Sequence, residues 1–213
     1  MNDTSNSFLH ELNDGELDIL LRNGQKKFYA KNKLIIDDGD HSSSAYIINS
    51  GKVKVFLSDD QGKEIVLCFL EAGEYFGEMA LIDKEERSAA VMTMEDTELT
   101  EISQASFREC LKAHPELAER IMLGLVTRLR EANKKISSLA LEDVHERVAN
   151  MLIDLAVKHN GQLVIDDKPT HQHIANIVGA SREMITRILK NMSADGHIEI
   201  TGKQIIILNG QLR

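Results

Sequence analysis

The stretch Gly77-Glu78-Met79-Ala80-Leu81-Ile82, followed after four further residues by Arg87-Ser88-Ala89, is the densest motif in the sequence. Glycine allows a positive φ and a close approach to the backbone, and N–H groups that open a short helix can hold an anion. An arginine can bind phosphate oxygens through two hydrogen bonds, and Ser88 adds a hydroxyl donor. Glu78 can only accept, so beside a phosphate it would bind a sugar hydroxyl. The motif therefore predicts a site for a phosphate joined to a ribose.

The residues around this motif have the pattern of short β-strands joined by turns. Val53, Val55 and Leu57 alternate with polar residues, and residues 65–70 form an apolar run in which we expect Cys68 to be a small buried side chain. Glycines at positions 39, 51, 62 and 73 recur at intervals of 11 or 12 residues, as in the hairpins of a small barrel or sandwich. We therefore predict a β-rich N-terminal domain over residues 1–113.

A helical pattern begins near Ser103, and its longest segment covers residues 114–141. A helix of about 25 residues is roughly 37 Å long, so one small barrel cannot cover it. We interpret its apolar stripe as the seam of a homodimer; the alternative is packing against the C-terminal part of the same chain. The stripe has steps of three or four residues and consists of Leu117, Ile121, Leu125, Leu129, Ala132, Ile136 and Leu139.

Residues 142–213 have the pattern of a small winged α/β domain with a helix-turn-helix. The predicted elements are a helix, a strand, two helices and a hairpin, at residues 144–158, 163–165, 170–178, 181–192 and 198–208. The first helix is expected to end at Asn160-Gly161, and the hairpin to turn at Thr201-Gly202-Lys203.

The last of these helices has the features of a DNA recognition helix. Ser181 is suited to cap its N-terminus, and the apolar residues at 185, 188 and 189 are spaced to face the core. Arginine can bind O6 and N7 of guanine, and glutamate can accept from N4 of cytosine. The outward face consists of Arg182, Glu183, Thr186 and Arg187.

The net charge of −9 argues at first against binding to nucleic acid. The excess of acid lies almost wholly in the N-terminal part, since residues 1–140 carry a net −8 and residues 141–213 a net −1. The predicted recognition helix, from Ser181 to Lys190, carries +2. The acidic total is therefore compatible with DNA binding, and we expect non-specific binding to be weak and salt-sensitive.

Composition also restricts the class of protein. A hydrophobic fraction of 42% and a charged fraction of 28% are typical of a soluble globular protein. No apolar run reaches the length of about 18 residues that spans a membrane, and residues 1–7 have no signal pattern. Two cysteines are too few for a disulfide framework or a four-thiolate metal site. We expect a cytoplasmic protein without a membrane partner.

Two runs resemble a known family. Phe76-Gly77-Glu78-Met79-Ala80-Leu81, with Arg87-Ser88-Ala89-Ala90, resembles the phosphate-binding cassette of cyclic-nucleotide-binding domains. Val178-Gly179-Ala180-Ser181-Arg182-Glu183, with Arg187-Ile188-Leu189-Lys190, resembles the helix-turn-helix of the CRP/FNR family. The resemblance covers residues 8–210 and implies an α+β fold, in which an N-terminal β-roll is followed by a dimerisation helix over 114–141 and a winged helix-turn-helix domain over 142–213.

The resemblance implies a homodimeric transcription regulator that binds double-stranded DNA at a palindrome of TGTGA-like half-sites under the control of a cyclic nucleotide. RNA polymerase is a further implied partner. The implied ligand-binding residues are Gly77, Glu78, Met79, Ala80, Arg87, Ser88 and Asn133. The implied DNA-binding residues are His171, Gln172, Ser181, Arg182, Glu183 and Arg187, of which Arg182, Glu183 and Arg187 occupy the base-reading positions.

Two departures from the family pattern bear on the ligand and on DNA. The archetype has Thr and Ser on the long helix for hydrogen bonds to adenine, where this chain has Ala132 and Asn133. We therefore expect cAMP first, with cGMP, cyclic di-GMP or no required ligand as alternatives. The family's arginine early in the first helix of the DNA motif is His171 here. An imidazole in that place predicts weaker or pH-dependent DNA binding.

The positions of the histidines and cysteines bear on other functional classes. Cupin metalloenzymes need a His-x-His within a strand, whereas His171 and His173 fall in the predicted helix-turn-helix. We see no nucleophile–base pair and expect neither enzyme activity nor a metal site. An iron–sulfur sensor needs N-terminal cysteines, and none precedes Cys68. A haem sensor stays open, as does a nucleotide-binding interaction module whose DNA motif is vestigial.

Overall fold

The computed structural model describes residues 20–159 and 161–208. They belong to two compact units, one within Ser5–Asp59 and Val66–Ala132, the other within Asp60–Ile65 and Asn133–Arg213. The expectations for residues 1–7 and for Asn160 lie outside the described residues. In the described part of the chain, no helix combines the length and the apolar composition that crossing a membrane requires.

The first unit is built on two four-stranded sheets, with strand orders β1-β8-β3-β6 and β2-β7-β4-β5. The strands are β1 Gln25–Tyr29, β2 Leu34–Ile36, β3 Ser44–Ser50, β4 Lys52–Ser58, β5 Glu64–Glu71, β6 Tyr75–Phe76, β7 Ala90–Thr93 and β8 Thr97–Ser103. Their inward side chains form an aliphatic core in which Ile48 and Leu99, cross-strand partners of β3 and β8, are each at most 1% exposed. The β-rich fold predicted for the N-terminal domain is confirmed, and its bounds at residues 1–113 stay a prediction.

Three helices follow or interrupt these strands: α1 Met79–Asp83, α2 Gln104–Ala113 and α3 Pro115–Leu141. Ser103 caps α2 by accepting a hydrogen bond from the Ser106 N–H at 3.2 Å. The long helix that the apolar stripe predicts is therefore present, and Pro115 begins it.

The apolar stripe of α3 has two different environments. Leu117 and Ile121 are buried in the core of their own unit, and the Ile121 carbonyl accepts a hydrogen bond from Tyr75 Oη at 3.3 Å. Leu129 and Ile136 are more than 60% exposed. The expectation of one continuous dimer seam is thus wrong for the first turns, because these turns cover the sheets of the same chain. The exposed apolar residues of α3 are Met122, Leu123, Val126, Leu129, Ile136 and Leu141.

The second unit contains a four-stranded sheet of order β11-β12-β10-β9 and three further helices. Its elements are α4 Val144–Leu155, β9 Val157–His159, β10 Gln162–Ile165, α5 His171–Val178, α6 Arg182–Ala194, β11 Ile198–Thr201 and β12 Gln204–Ile207. The helix predicted to reach residue 158 ends at Leu155 instead, because Val157 pairs with Val164 across β9 and β10. The α5–turn–α6 arrangement and the hairpin agree with the prediction.

Gly51, in the turn between β3 and β4, provides a test of this fold. Its φ is +95°, and an added Cβ would lie 2.5 Å from Thr97 Oγ1 and 2.8 Å from the Asp96 carbonyl oxygen. We expect Gly51→Ala to lower the free energy of unfolding by about 2–4 kcal/mol, from backbone strain plus overpacking.

Gly62, in the turn between β4 and β5, is the matched control. It has φ +75° but no atom within 4 Å of the added Cβ, so Gly62→Ala should cost only about 1 kcal/mol of backbone strain. Urea unfolding followed by circular dichroism measures both variants, and equal losses would contradict the packing described for Gly51.

Candidate functional site

The motif of residues 77–89 forms the connection from β6 through α1 to β7. Gly77 has φ +80°, and a Cβ there would lie 2.8 Å from Arg87 Nη1 and 3.0 Å from the Ser44 carbonyl oxygen. Only glycine satisfies both the backbone conformation and this close approach. Glu78 is the N-cap residue of α1, and its carbonyl accepts from the Leu81 N–H at 3.0 Å.

Arg87 is buried at the centre of the motif, with 4% of its surface exposed. Its Nη1 donates to the Gly77 carbonyl at 2.7 Å, its Nη2 to the Ser44 carbonyl at 2.5 Å and its Nε to Ser42 Oγ at 2.9 Å. The guanidinium is thus held by the connection after β6 and by the segment that leads into β3.

Burial outweighs the nearby negative charges in its effect on the pKa of Arg87. Burial lowers the pKa of its guanidinium, and the carboxylates of Glu78 and Asp40 act in the opposite direction, as does Tyr46 once it is ionised. Burial also raises the pKa of Tyr46 to about 12, so Tyr46 is a neutral neighbour at physiological pH. A cation that is held in place and partly desolvated attracts a phosphate more strongly than one in water.

Glu78 is buried as well, with 2% of its surface exposed, and it faces a cation from the long helix. Its Oε1 lies 3.0 Å from Arg128 Nη1. Arg128 also donates Nη2 to the Tyr75 carbonyl at 2.5 Å, and its guanidinium lies 4.6 Å from the Tyr75 ring centre. The free acceptor that the sequence predicts for a sugar hydroxyl is therefore already ion-paired.

Sequence reasoning missed Arg128. A signal existed, since a carboxylate placed in an apolar setting needs a cation, and Arg128 lies between Leu125 and Leu129 of the apolar stripe. This signal could be used only with the knowledge that this part of α3 packs on the sheets of its own chain.

The remaining predicted ligand residues lie at the edge of the motif or outside it. Ser88 and Met79 are exposed, with Ser88 Oγ 3.7 Å from Met79 Sδ, whereas Ala80 is buried. A thioether is a weak acceptor, so the Ser88 hydroxyl can turn to a stronger one. Asn133 is exposed and belongs to the second unit, and its contact with a ligand stays a prediction.

The second unit presents the helix-turn-helix with each helix capped. Thr170 Oγ1 accepts from the His173 N–H at 3.1 Å at the start of α5, and Ser181 Oγ accepts from the Met184 N–H at 3.2 Å at the start of α6. Gly179 ends α5 with φ +69°. The predicted cap at Ser181 is confirmed.

The surface of α6 has the predicted division into two faces. Ile185, Ile188 and Leu189 are buried in the core of the unit. The exposed residues of α6 include Arg182, Glu183, Thr186 and Arg187. The sequence therefore placed the core face and the outward face of the recognition helix correctly.

Of the two predicted DNA-contacting residues of α5, His171 contacts this helix and Gln172 contacts α5 itself. His171 Nδ1 is 2.8 Å from Thr186 Oγ1, which in turn donates to the Arg182 carbonyl at 3.0 Å. Gln172 is exposed and donates Nε2 to Asn176 Oδ1 at 2.7 Å.

Comparison with known proteins matches both units. Residues 26–114 match the family model of the cyclic nucleotide-binding domain, and residues 146–211 match that of the Crp-like helix-turn-helix domain. The cAMP-activated global transcriptional regulator Vfr of Pseudomonas aeruginosa is 36% identical over 200 residues, which covers 90% of this chain and 92% of Vfr. The cAMP-activated global transcriptional regulator CRP of Escherichia coli is 34% identical over 183 residues, or 84% of this chain and 87% of that protein.

A similar solved structure is that of the c-di-GMP responsive global regulator CLP of Xanthomonas campestris. It aligns with a TM-score of 0.82 and 30% identity, covering 92% of this chain and 99% of that one. Family models on both domains and relatives of this similarity over most of the chain agree with the geometry of the two units. The chain therefore belongs to the CRP/FNR family of DNA-binding transcription regulators, with an N-terminal cyclic nucleotide-binding domain and a C-terminal helix-turn-helix.

Proposed function

We propose that this protein is a homodimeric transcription regulator in which a cyclic nucleotide, cAMP in the first place, controls binding to a palindrome of TGTGA-like half-sites. The observation that carries the proposal is the buried Arg87, held beside Gly77 and Glu78 within a cyclic nucleotide-binding domain. The similarity to Vfr and CRP, both named as cAMP-activated regulators, supports cAMP as the effector.

The phosphate of the nucleotide would bind at Arg87. A guanidinium has five N–H donors, and the hydrogen bonds to Gly77, Ser44 and Ser42 use three of them. Two donors are left for phosphate oxygens, and Ser88 adds an exposed hydroxyl. The ribose would compete for Glu78, whose partner Arg128 belongs to α3. Binding of the sugar would thus act directly on the helix that we propose as the dimer seam.

A second candidate is a regulator of the same kind that responds to cyclic di-GMP. Ala132 and Asn133 replace the hydroxyl pair that would bind adenine, and the similar regulator CLP is named as c-di-GMP responsive. The phosphate-binding residues serve either ligand, because the phosphodiester is common to both. The identity of the base is therefore the question that the first experiment must answer.

Titration calorimetry with cAMP, cGMP and cyclic di-GMP tests the ligand. We expect cAMP to bind most tightly and Arg87→Ala to weaken binding about 100-fold, because two hydrogen bonds to a charged group are lost. Ser88→Ala, which changes an exposed hydroxyl, should weaken binding about fivefold without loss of fold. Arg108→Ala, at an exposed position on α2, serves as the control. No binding of any of the three nucleotides at millimolar concentration would refute the proposal.

Base reading by α6 is tested with a palindromic TGTGA site and its single-base variants. We expect Arg182→Ala to cost roughly 1–3 kcal/mol of binding free energy and to relax the preference at one guanine. Lys190→Ala, at the exposed C-terminal part of the same helix, should weaken binding evenly on all sequences, as a phosphate contact does. Fluorescence anisotropy measures both, and an even loss for Arg182→Ala would contradict base reading.

The dimer is tested at Leu129, which is 61% exposed on α3. Light scattering of the wild-type protein is expected to give twice the chain mass of 23.9 kDa. Leu129→Glu should shift the mass towards the monomer, since a carboxylate would be buried in an apolar seam. Arg130→Glu changes the neighbouring exposed position and should leave the dimer in place. A monomeric wild-type protein at micromolar concentration would refute the seam.

A further inference from the structure

The C-terminal end of α5, the first helix of the helix-turn-helix, is held by two cationic side chains. The last carbonyl groups of a helix have no partner within the helix and carry partial negative charge. The Ile177 carbonyl accepts a hydrogen bond from Lys135 Nζ, and the Val178 carbonyl accepts one from Arg147 Nε at 2.9 Å. Lys135 belongs to α3 and Arg147 to α4, so both helices are tied to the end of α5.

Lys135 is not an ordinary surface lysine. Burial lowers the pKa of its ammonium group, and the nearby Arg147 guanidinium lowers it further. A charge that is taken out of water is costly unless it is hydrogen-bonded, so the acceptor on α5 stabilises Lys135 in this place. Arg147 is also fixed, because its Nη1 donates to the Glu142 carbonyl at 2.7 Å in the link between α3 and α4.

Apolar packing joins the same elements. The turn after α5 contains Gly179, and a Cβ on this residue would lie 3.0 Å from Leu139 Cδ2 and 3.4 Å from Ile65 Cδ1. Leu139 follows Lys135 by one helical turn, so the two residues share a face of α3. The helix-turn-helix therefore contacts one face of α3 in two places. Lys135 donates a charged hydrogen bond to it, and Leu139, one helical turn further along α3, is in close contact with Gly179.

We infer that Lys135 is the positioning residue that fixes the helix-turn-helix on α3. The second half of α3 also carries the exposed apolar residues of the proposed dimer seam, among them Ile136. A fixed angle between α3 and α5 sets the distance between the two recognition helices of a dimer, which must match the repeat of the DNA helix. The inference rests on the proposed recognition of a palindrome and names the side chain that sets its half-site spacing.

The test varies the spacer between two TGTGA half-sites by one base pair at a time, because each base pair turns the half-site by about 35°. Full-length protein is assayed in separate series with cAMP, cGMP and cyclic di-GMP. We expect a sharp optimum of spacer length for the wild type. Lys135→Met, which keeps an apolar stem, should lower the affinity at the optimum about tenfold and flatten the dependence on spacer length. Its affinity for a single half-site should be unchanged.

Two variants separate positioning from general effects of charge. Lys134→Met removes the same charge from the adjacent exposed residue and should keep the wild-type optimum. Lys135→Arg restores a cationic donor and should recover most of the dependence on spacer length. Thermal unfolding is recorded for every variant. If Lys135→Met does not fold, Lys135→Gln replaces it, because its shorter neutral side chain also removes the cationic donor; the same loss of dependence on spacer length is expected.

The outcomes distinguish the inference from the proposed function. An optimum as sharp in Lys135→Met as in the wild type would overturn the positioning role. An equal loss on single half-sites and on palindromes would do the same, because it would show a purely stabilising residue. A wild-type protein that binds TGTGA without any spacer optimum would refute palindrome recognition, and the inference with it.

Discussion

The buried guanidinium of Arg87 is the constraint on which the N-terminal unit depends. A permanent charge with 4% exposure requires acceptors on every side. The chain supplies them from two separate segments, at Ser42 and Ser44, where β3 begins, and at Gly77 after β6. A main-chain hydrogen bond also joins Arg87 to the segment before β3, since the Arg87 N–H donates to the Asp40 carbonyl at 2.9 Å. The conformation of the proposed ligand-binding motif therefore depends on the hydrogen bonds that this one side chain requires.

A second buried charge extends this arrangement to the long helix. Glu78 adjoins Gly77 and pairs with Arg128 of α3, so the motif and the helix share one electrostatic network. Removing Arg128 would take away the cation that pairs with the buried Glu78 carboxylate, which is strongly destabilising. A ligand bound at this proposed site would replace hydrogen bonds of the network with its own, and would thereby act directly on α3.

Much of this could be predicted from the sequence, and the failures have physical causes. Gly77, Glu78 and Arg87 were predicted to come together because residue type and spacing carry that information locally. In the structure Arg87 is hydrogen-bonded to Gly77, and Glu78 is near enough to raise the pKa of Arg87. Arg128 was not predicted, because its role depends on how α3 packs on distant strands. The same long-range packing buries Leu117, which looked like part of a dimer seam. The strand at Val157 was missed because its pairing with Val164, not its local propensity, decides the conformation.

The aromatic composition of the chain has an optical consequence. The chain has three tyrosines and no tryptophan, so its near-ultraviolet absorption and emission come chiefly from tyrosine. One of the three, Tyr75, lies beneath the Arg128 guanidinium that pairs with Glu78. Any event that moves Arg128 away from Glu78 also changes the environment of this ring. Tyrosine emission can therefore report on the contact between the long helix and the proposed ligand-binding motif. A single introduced tryptophan would emit without a background from other tryptophans.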